Sequence, residues 1–173
     1  TTPWTLPANL AIAVNPRFEY ALAWIDGNVT VLAAEAVSRV TKAAKAEEAV
    51  VLASTTGEKL LGLRYRHPFL GGAEAQAAHV TKLRTATSMT GPDAAFSLVP
   101  AEYVTLEDGT GLVHTAPGHG SEDFQTGQRV GLPTYCPVRG NGTYDDTVPE
   151  WLRGVDIWKA NDSVVNHLRD SGH

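Results

Sequence analysis

Asp26-Gly27-Asn28 stands between two apolar runs, Phe18 to Ile25 and Val29 to Ala33, and no other stretch restricts the fold as much. Asp and Gly accept the left-handed backbone that a tight strand-to-strand turn demands, so the chain doubles back here as a β-hairpin. A lone hairpin is marginal in water and needs more strands or a helix over its apolar face. Leu10 to Val14 and Val50 to Ala53 read as two such strands, and Tyr103 to Leu106 and Gly111 to Thr115 as a pair around Glu107-Asp108-Gly109.

Helical spacing of Val37, Val40 and Ala44 predicts a helix over Ala34 to Ala49. Ser121 to Gly131 reads as a second, with Ser121 as N-cap and Gly131 past its end. Asn161 to Ser171 reads as a third, capped by Asn161, closed by Gly172, with Val164, Val165 and Leu168 facing inward. Residues 71–79 and 84–95, rich in Gly, Ala, Thr and Ser, read as loops or an insertion. Many short strands with a few helices predict a mainly β fold with flanking helices, a compact β-barrel with helices packed outside. The length of 173 residues fits a single domain, residues 1–173.

One cysteine, Cys136, excludes an internal disulfide and a cysteine-rich zinc site. No apolar run is long enough to span a membrane, and no signal peptide is visible. The chain opens Thr1-Thr2-Pro3-Trp4 and its only methionine is Met89, so it reads as a segment of a larger protein. The formal net charge is −5, whereas nucleic-acid binders usually show a basic face. Arg64 and Arg66 form one small basic spot, with Lys42, Lys45 and Lys59 scattered. A nucleic acid would therefore be gripped by a short end only. A monomer is the default expectation.

Two stretches carry chemistry. In Thr1-Thr2-Pro3-Trp4-Thr5-Leu6-Pro7-Ala8-Asn9, hydroxyls and a carboxamide are held by two prolines that stiffen an irregular loop. Composition alone favours a linker between domains. In Gly109-Thr110-Gly111-Leu112-Val113-His114-Thr115-Ala116-Pro117-Gly118-His119-Gly120-Ser121-Glu122-Asp123, the glycines precede the strand, which excludes a dinucleotide fingerprint. Strand, glycine-rich turn and helix remain, with Asp123 in the first helical turn. There its carboxylate complements the helix dipole, which is a sufficient structural reason for it. His114, His119 and Asp123 do not have the usual helical zinc spacing, and no metal site is expected. No serine sits in a Gly-x-Ser-x-Gly elbow.

Together these stretches resemble the editing domain inserted as a connective polypeptide into class I aminoacyl-tRNA synthetases for isoleucine, valine and leucine. Pro3-Trp4-Thr5-Leu6-Pro7-Ala8-Asn9 is similar to the isoleucyl form of that family's threonine-rich peptide. Val113-His114-Thr115-Ala116-Pro117-Gly118-His119-Gly120, followed by Asp123-Phe124, and the ending Trp158-Lys159-Ala160-Asn161 resemble the isoleucyl version too. The family usually has three consecutive threonines where this chain has two, and the third is expected just before residue 1. The two synthetic active-site signatures of class I synthetases are absent, so no aminoacylation is expected from this fragment.

The resemblance implies hydrolytic proofreading of valyl-tRNA(Ile), and of valyl-adenylate. A synthetic pocket rejects one missing methylene by only about 1–3 kcal/mol, a limit for which this enzyme family is itself the standard illustration. The implied partners are the 3′ end of isoleucine tRNA carrying valine and the remainder of the synthetase, with no membrane. No cofactor is implied for this domain, while the parent uses ATP. The implied location is cytoplasmic for a bacterial parent or mitochondrial for an organellar one. By motif position, Asp123 binds the α-ammonium of valine, worth about 1.5–3 kcal/mol. Thr1 and Thr2 bond the ester or the attacking water. Asn9 fixes the loop or the substrate. His114 lines the amino-acid pocket, walls off the extra methyl group and is a candidate base. Trp4 packs beside the adenosine or supports the loop. The alternatives are a non-catalytic module that positions the tRNA end, a valyl- or leucyl-type editing domain, and a metal-dependent hydrolase.

Overall fold

The fold is seen in a computed structural model, which describes residues 2–87 and 94–172. Contacts divide the chain into two units, each interleaved along the sequence. The first comprises Thr1–Ala11, Arg64–Phe96 and His114–His173, and the second Ile12–Leu63 and Ser97–Val113.

The hairpin is the frame of the second unit. Strands β2 (Glu19–Ile25) and β3 (Asn28–Ala33) pair antiparallel from Tyr20↔Ala33 to Ile25↔Asn28. Asp26 and Gly27 both take positive φ, 43° and 89°, the turn whose twist matches the strands. The Asp26 carboxylate accepts from Glu47 and Glu48 N–H, which seats the start of β4 (Ala49–Thr56) against Ile25. That seat shortens the helix expected over 34–49. A short 3₁₀ turn and then α1 (Val37–Ala44) occupy it, and Lys45 ends the helix with φ 54°. The core is Val14, Tyr20, Ala23, Ile25, Leu32, Ala33, Ala36 and Leu60.

A second sheet has the order β5 (Ser97–Pro100), β1 (Ala11–Val14), β6 (Leu112–Thr115). Strand β5 was not foreseen. Tyr103 to Leu106 is not a strand, because the Asn15 side-chain amide takes the carbonyls of Glu102 and Val104 at 3.5 and 3.3 Å. Sheets with flanking helices are thus present, but the described strands do not close into a barrel. In the β3-β2-β4 sheet, β3 and β4 are each bonded to β2 alone and remain edges.

In the first unit, α2 (Ala73–Thr87) replaces the loops expected over residues 71–79 and part of 84–95, of which 88–93 lie outside the described residues. Only Val80 and Leu83 of α2 are buried. The Gln76 amide fastens the helix, donating to Tyr65 C=O at 3.0 Å and accepting from His67 N–H at 2.8 Å. Helix α3 (Ser121–Val130) has Gly120, not Ser121, as N-cap. Helix α4 (Ile157–Asp170) begins earlier than expected, capped by Asp156, whose carboxylate accepts from Trp158 N–H at 3.0 Å. Val164 is buried, whereas Val165 is exposed. The apolar cluster of this unit is Phe69, Tyr144, Val148, Leu152, Ala160 and Val164.

Candidate active site

The threonine-rich start folds as a 3₁₀ turn, Pro3–Ala8, rather than an irregular loop. Proline suits the first turn, where a missing N–H costs nothing. Trp4 N–H donates to Asn161 Oδ1 at 3.0 Å, the Tyr144 hydroxyl donates to Trp4 C=O, and Thr5 N–H donates to Thr2 C=O at 3.0 Å. Asn161 is therefore a tether inside α4 and not its cap. Trp4 is half-buried against the cluster around Tyr144 and meets the His119 ring edge-on at 5.1 Å.

Asn9 is 7% exposed, so its amide must find partners inside the protein. One N–H donates to Ala11 C=O at 2.8 Å and the other to His114 Nδ1 at 2.8 Å. Its Oδ1 accepts from the Tyr65 hydroxyl. Nδ1 of His114 is thus an acceptor, and the ring proton sits on Nε2, which donates to Thr5 Oγ1 at 3.1 Å. The Thr5 hydroxyl passes the direction on to Thr2 C=O at 2.9 Å. Every proton in the chain Tyr65–Asn9–His114–Thr5–Thr2 is placed with the imidazole neutral. Burial agrees, pushing the His114 pKa down to about 4. A second ring proton would face an Asn9 N–H, and turning the amide over would break its bonds to Ala11 and Tyr65.

His114 lies on β6 and leads into the glycine-rich turn. A Cβ at Gly118 would run into Tyr135 C=O, so only glycine fits there, and one at Gly120 would stand 3.3 Å from Asp123 Cγ, close enough that the carboxyl group would have to shift by a few tenths of an ångström. Asp123, half-buried in the first turn of α3, accepts from Ala116 N–H at 2.8 Å. Burial pushes its carboxyl pKa up, and the Ala116 hydrogen bond pulls it back down. His119 Nε2 is buried without a partner, and burial lowers its pKa.

Thr2, Trp4, Asn9, His114 and Asp123 all fall in the first unit. Asn9 and His114 touch directly, and Thr2 joins them through Thr5. Asp123 is tied to the turn through Ala116, and Trp4 to it through His119. Thr1 lies outside the described residues. Sequence reasoning missed Tyr65, which is 56 positions from Asn9 and carries no local pattern. It also gave Thr5 no role, although the hydroxyl was in plain view. Among the described residues, no three His, Cys, Asp or Glu side chains group to hold a metal ion. No described helix is long and apolar enough to cross a membrane.

No family model matches the chain. Curated relatives do. The chain is 39% identical over 172 residues to the isoleucine–tRNA ligase of Aquifex aeolicus, covering 99% of this chain and 17% of that protein. It is 39% identical to the isoleucine–tRNA ligase of Klebsiella pneumoniae over 99% of this chain and 16% of the relative. For that of Aquifex pyrophilus the figures are 37%, 100% and 31%. The chain thus spans well under half the length of these relatives. A solved structure, GlLeuRS-CP1, the connective polypeptide 1 of a leucyl-tRNA synthetase, shares the fold. Its TM-score is 0.65 at 15% identity, covering 99% of this chain and 78% of that one.

Proposed function

We propose, for a chain that belongs along its whole length to the connective-polypeptide editing segment of the isoleucyl-tRNA synthetase family, that it hydrolyses valine from mischarged isoleucine tRNA. One observation carries the reading. The family-type residues Thr2, Asn9 and His114 form a single hydrogen-bonded line, with the Asp123 carboxylate anchored a few residues further on. Valine attached to tRNA offers an α-ammonium and an ester. The carboxylate of Asp123 binds the ammonium, a contact that every amino acid makes and that therefore anchors without discriminating.

Discrimination falls to His114. Its ring is held at both nitrogens, so it is a wall that does not yield to the extra methylene of isoleucine. A fixed wall excludes a larger side chain more sharply than a mobile one. The same two bonds argue against His114 as the base, since its free lone pair is already taken. Water is instead placed by hydroxyl groups, those of the threonine-rich turn and of the substrate ribose. Rate enhancement then comes chiefly from orientation. The partners in this reading are the tRNA 3′ end and the rest of a synthetase that uses ATP, with no cofactor at this site.

The test is hydrolysis of valyl-tRNA and isoleucyl-tRNA, both on isoleucine tRNA, by this chain and by Asp123→Ala. Cleavage of the valyl ester alone, lost in Asp123→Ala with KM raised, is the expected result. Equal cleavage of both esters removes the discriminating wall. Full activity in Asp123→Ala removes the anchor.

A further inference from the structure

Three of the chain's 14 lysines and arginines meet at one cavity, although the protein as a whole is acidic. The cavity, about 510 Å³, lies within the first unit between residues 64–66 and α2. Arg64, Arg66 and Arg84 line it together with Tyr65, Gln76 and Phe96, and among the described residues no acidic side chain does. It is a built space. The Gln76 amide clamps α2 to Tyr65 C=O and His67 N–H. Phe96 holds φ at 56°, a left-handed backbone that a bulky side chain rarely adopts. Bonds from Phe96 N–H to Leu10 C=O at 2.6 Å and from Tyr65 N–H to Phe96 C=O at 3.1 Å keep it there. Such strain persists where the surroundings enforce it and concentrates at ligand sites. Tyr65 itself is shared, lining the cavity while its hydroxyl holds Asn9 and, through it, His114.

We propose that this cavity seats a phosphodiester of single-stranded RNA, the link just before the terminal adenosine of the tRNA 3′ end. The proposal rests on the hydrolytic reading above for the identity of the RNA, but the cavity's chemistry stands by itself. Guanidinium groups match phosphate oxygens in paired, planar hydrogen bonds. The volume is that of a small-ligand site and accommodates about one nucleotide. An acidic protein whose basic groups gather locally, as at this cavity, repels a long duplex and accepts a short single-stranded end.

The experiment measures anisotropy of a labelled single-stranded RNA ending in CCA, with and without AMP as competitor, across a salt series. The combined Arg64→Gln, Arg66→Gln, Arg84→Gln variant is expected to bind about tenfold or more weakly, with a salt slope shallower by about 0.7, the share of one phosphate on a single strand. Lysine at the same three positions restores most of the slope but not the affinity. A variant with Lys42→Gln, Lys45→Gln and Lys59→Gln loses the same charge elsewhere and leaves binding unchanged. Arg66→Gln alone supplies the reading if the triple variant does not fold. Unchanged RNA affinity in the arginine variants, an equal loss in the lysine variant, or no RNA binding by the parent overturns the proposal. AMP competing as well as RNA, with the same arginine dependence, also overturns it and assigns the cavity to a free nucleotide. The RNA carries no amino acid, so absent hydrolysis of the valyl ester with arginine-dependent RNA binding would sink only the reaction. Normal hydrolysis at unchanged KM by the arginine variants would sink only the cavity.

Discussion

The two units bury themselves by different means. The second relies on Val14, Ala23, Ile25, Leu32, Ala33, Ala36 and Leu60, and its buried polar side chains, Asn15, Ser97 and Tyr20, include no histidine; the Tyr20 hydroxyl donates to Gly111 C=O at 2.8 Å. The first buries Asn9 and His67 outright, half-buries His114 and joins them through donors and acceptors of fixed direction. All six histidines fall in the sequence of the first unit and none in the second. A core without titratable groups near neutral pH is indifferent to protons, whereas a directional network that runs through imidazole rings holds only in one protonation state. The unit that carries the candidate site is therefore the one that acid should open.

The largest expected effect breaks the comparison if it fails. Burial lowers the pKa of both His67 and His114 from 6.5 to about 4. Between those values the unfolded chain takes up protons that the folded chain refuses, so stability is complete above pH 6.5 and is lost as pH falls towards 4. The loss is on the order of 3 kcal/mol for His67 and somewhat less for the more exposed His114. Asp123, whose pKa burial raises, works weakly in the opposite sense. Residue-resolved NMR from pH 7 to 4 should show amides of the first unit losing protection while those of β2, β3 and β4 keep theirs. Simultaneous loss in both units would end the distinction.

A pair of tyrosines sharpens it. Tyr65→Phe removes the donor to Asn9 Oδ1 and leaves a buried acceptor alone, a cost of about 1–3 kcal/mol. Tyr20→Phe removes the donor to Gly111 C=O and the acceptor of Asn15 N–H, at a similar cost. The difference lies in His114. Without Tyr65 the Asn9 amide is held in its orientation by Ala11 C=O alone, the tautomer loosens and the His114 titration moves up from about 4. It stays in place in Tyr20→Phe, where valyl-ester hydrolysis is retained as well. Equal His114 shifts in both variants would mean that the hydrogen-bonded line does not hold the ring.

The same contrast explains what could be read in the sequence. The hairpin was legible to within a residue because an apolar run, a left-handed turn and a second run are all local. Helix α2 was not, since only Val80 and Leu83 mark a buried face and its fixing comes from Gln76 reaching the backbone of Tyr65 and His67, which belongs to no strand. Trp4, Asn9, His114 and Asp123 were singled out by motif resemblance. Their directions were not, because Tyr65 and Asn161 bond them across 56 and 157 positions. Asn161 is instructive, as its side chain suits a helix cap by type and is used instead to hold the Trp4 backbone.

The smallest expected effect concerns the outer strand of the second unit. Val50, Val51 and Leu52 of β4 are 54%, 52% and 55% exposed, so little of their apolar surface leaves water on folding. Leu52→Thr and Val51→Thr keep residues suited to a strand and remove few buried contacts. Each should shift stability by no more than about 0.5 kcal/mol, measured from urea unfolding midpoints at neutral pH. A loss above about 1 kcal/mol would require that this sheet face be covered in solution. The second unit would then not be closed by its own core, and its independence from protonation would rest on whatever covers it.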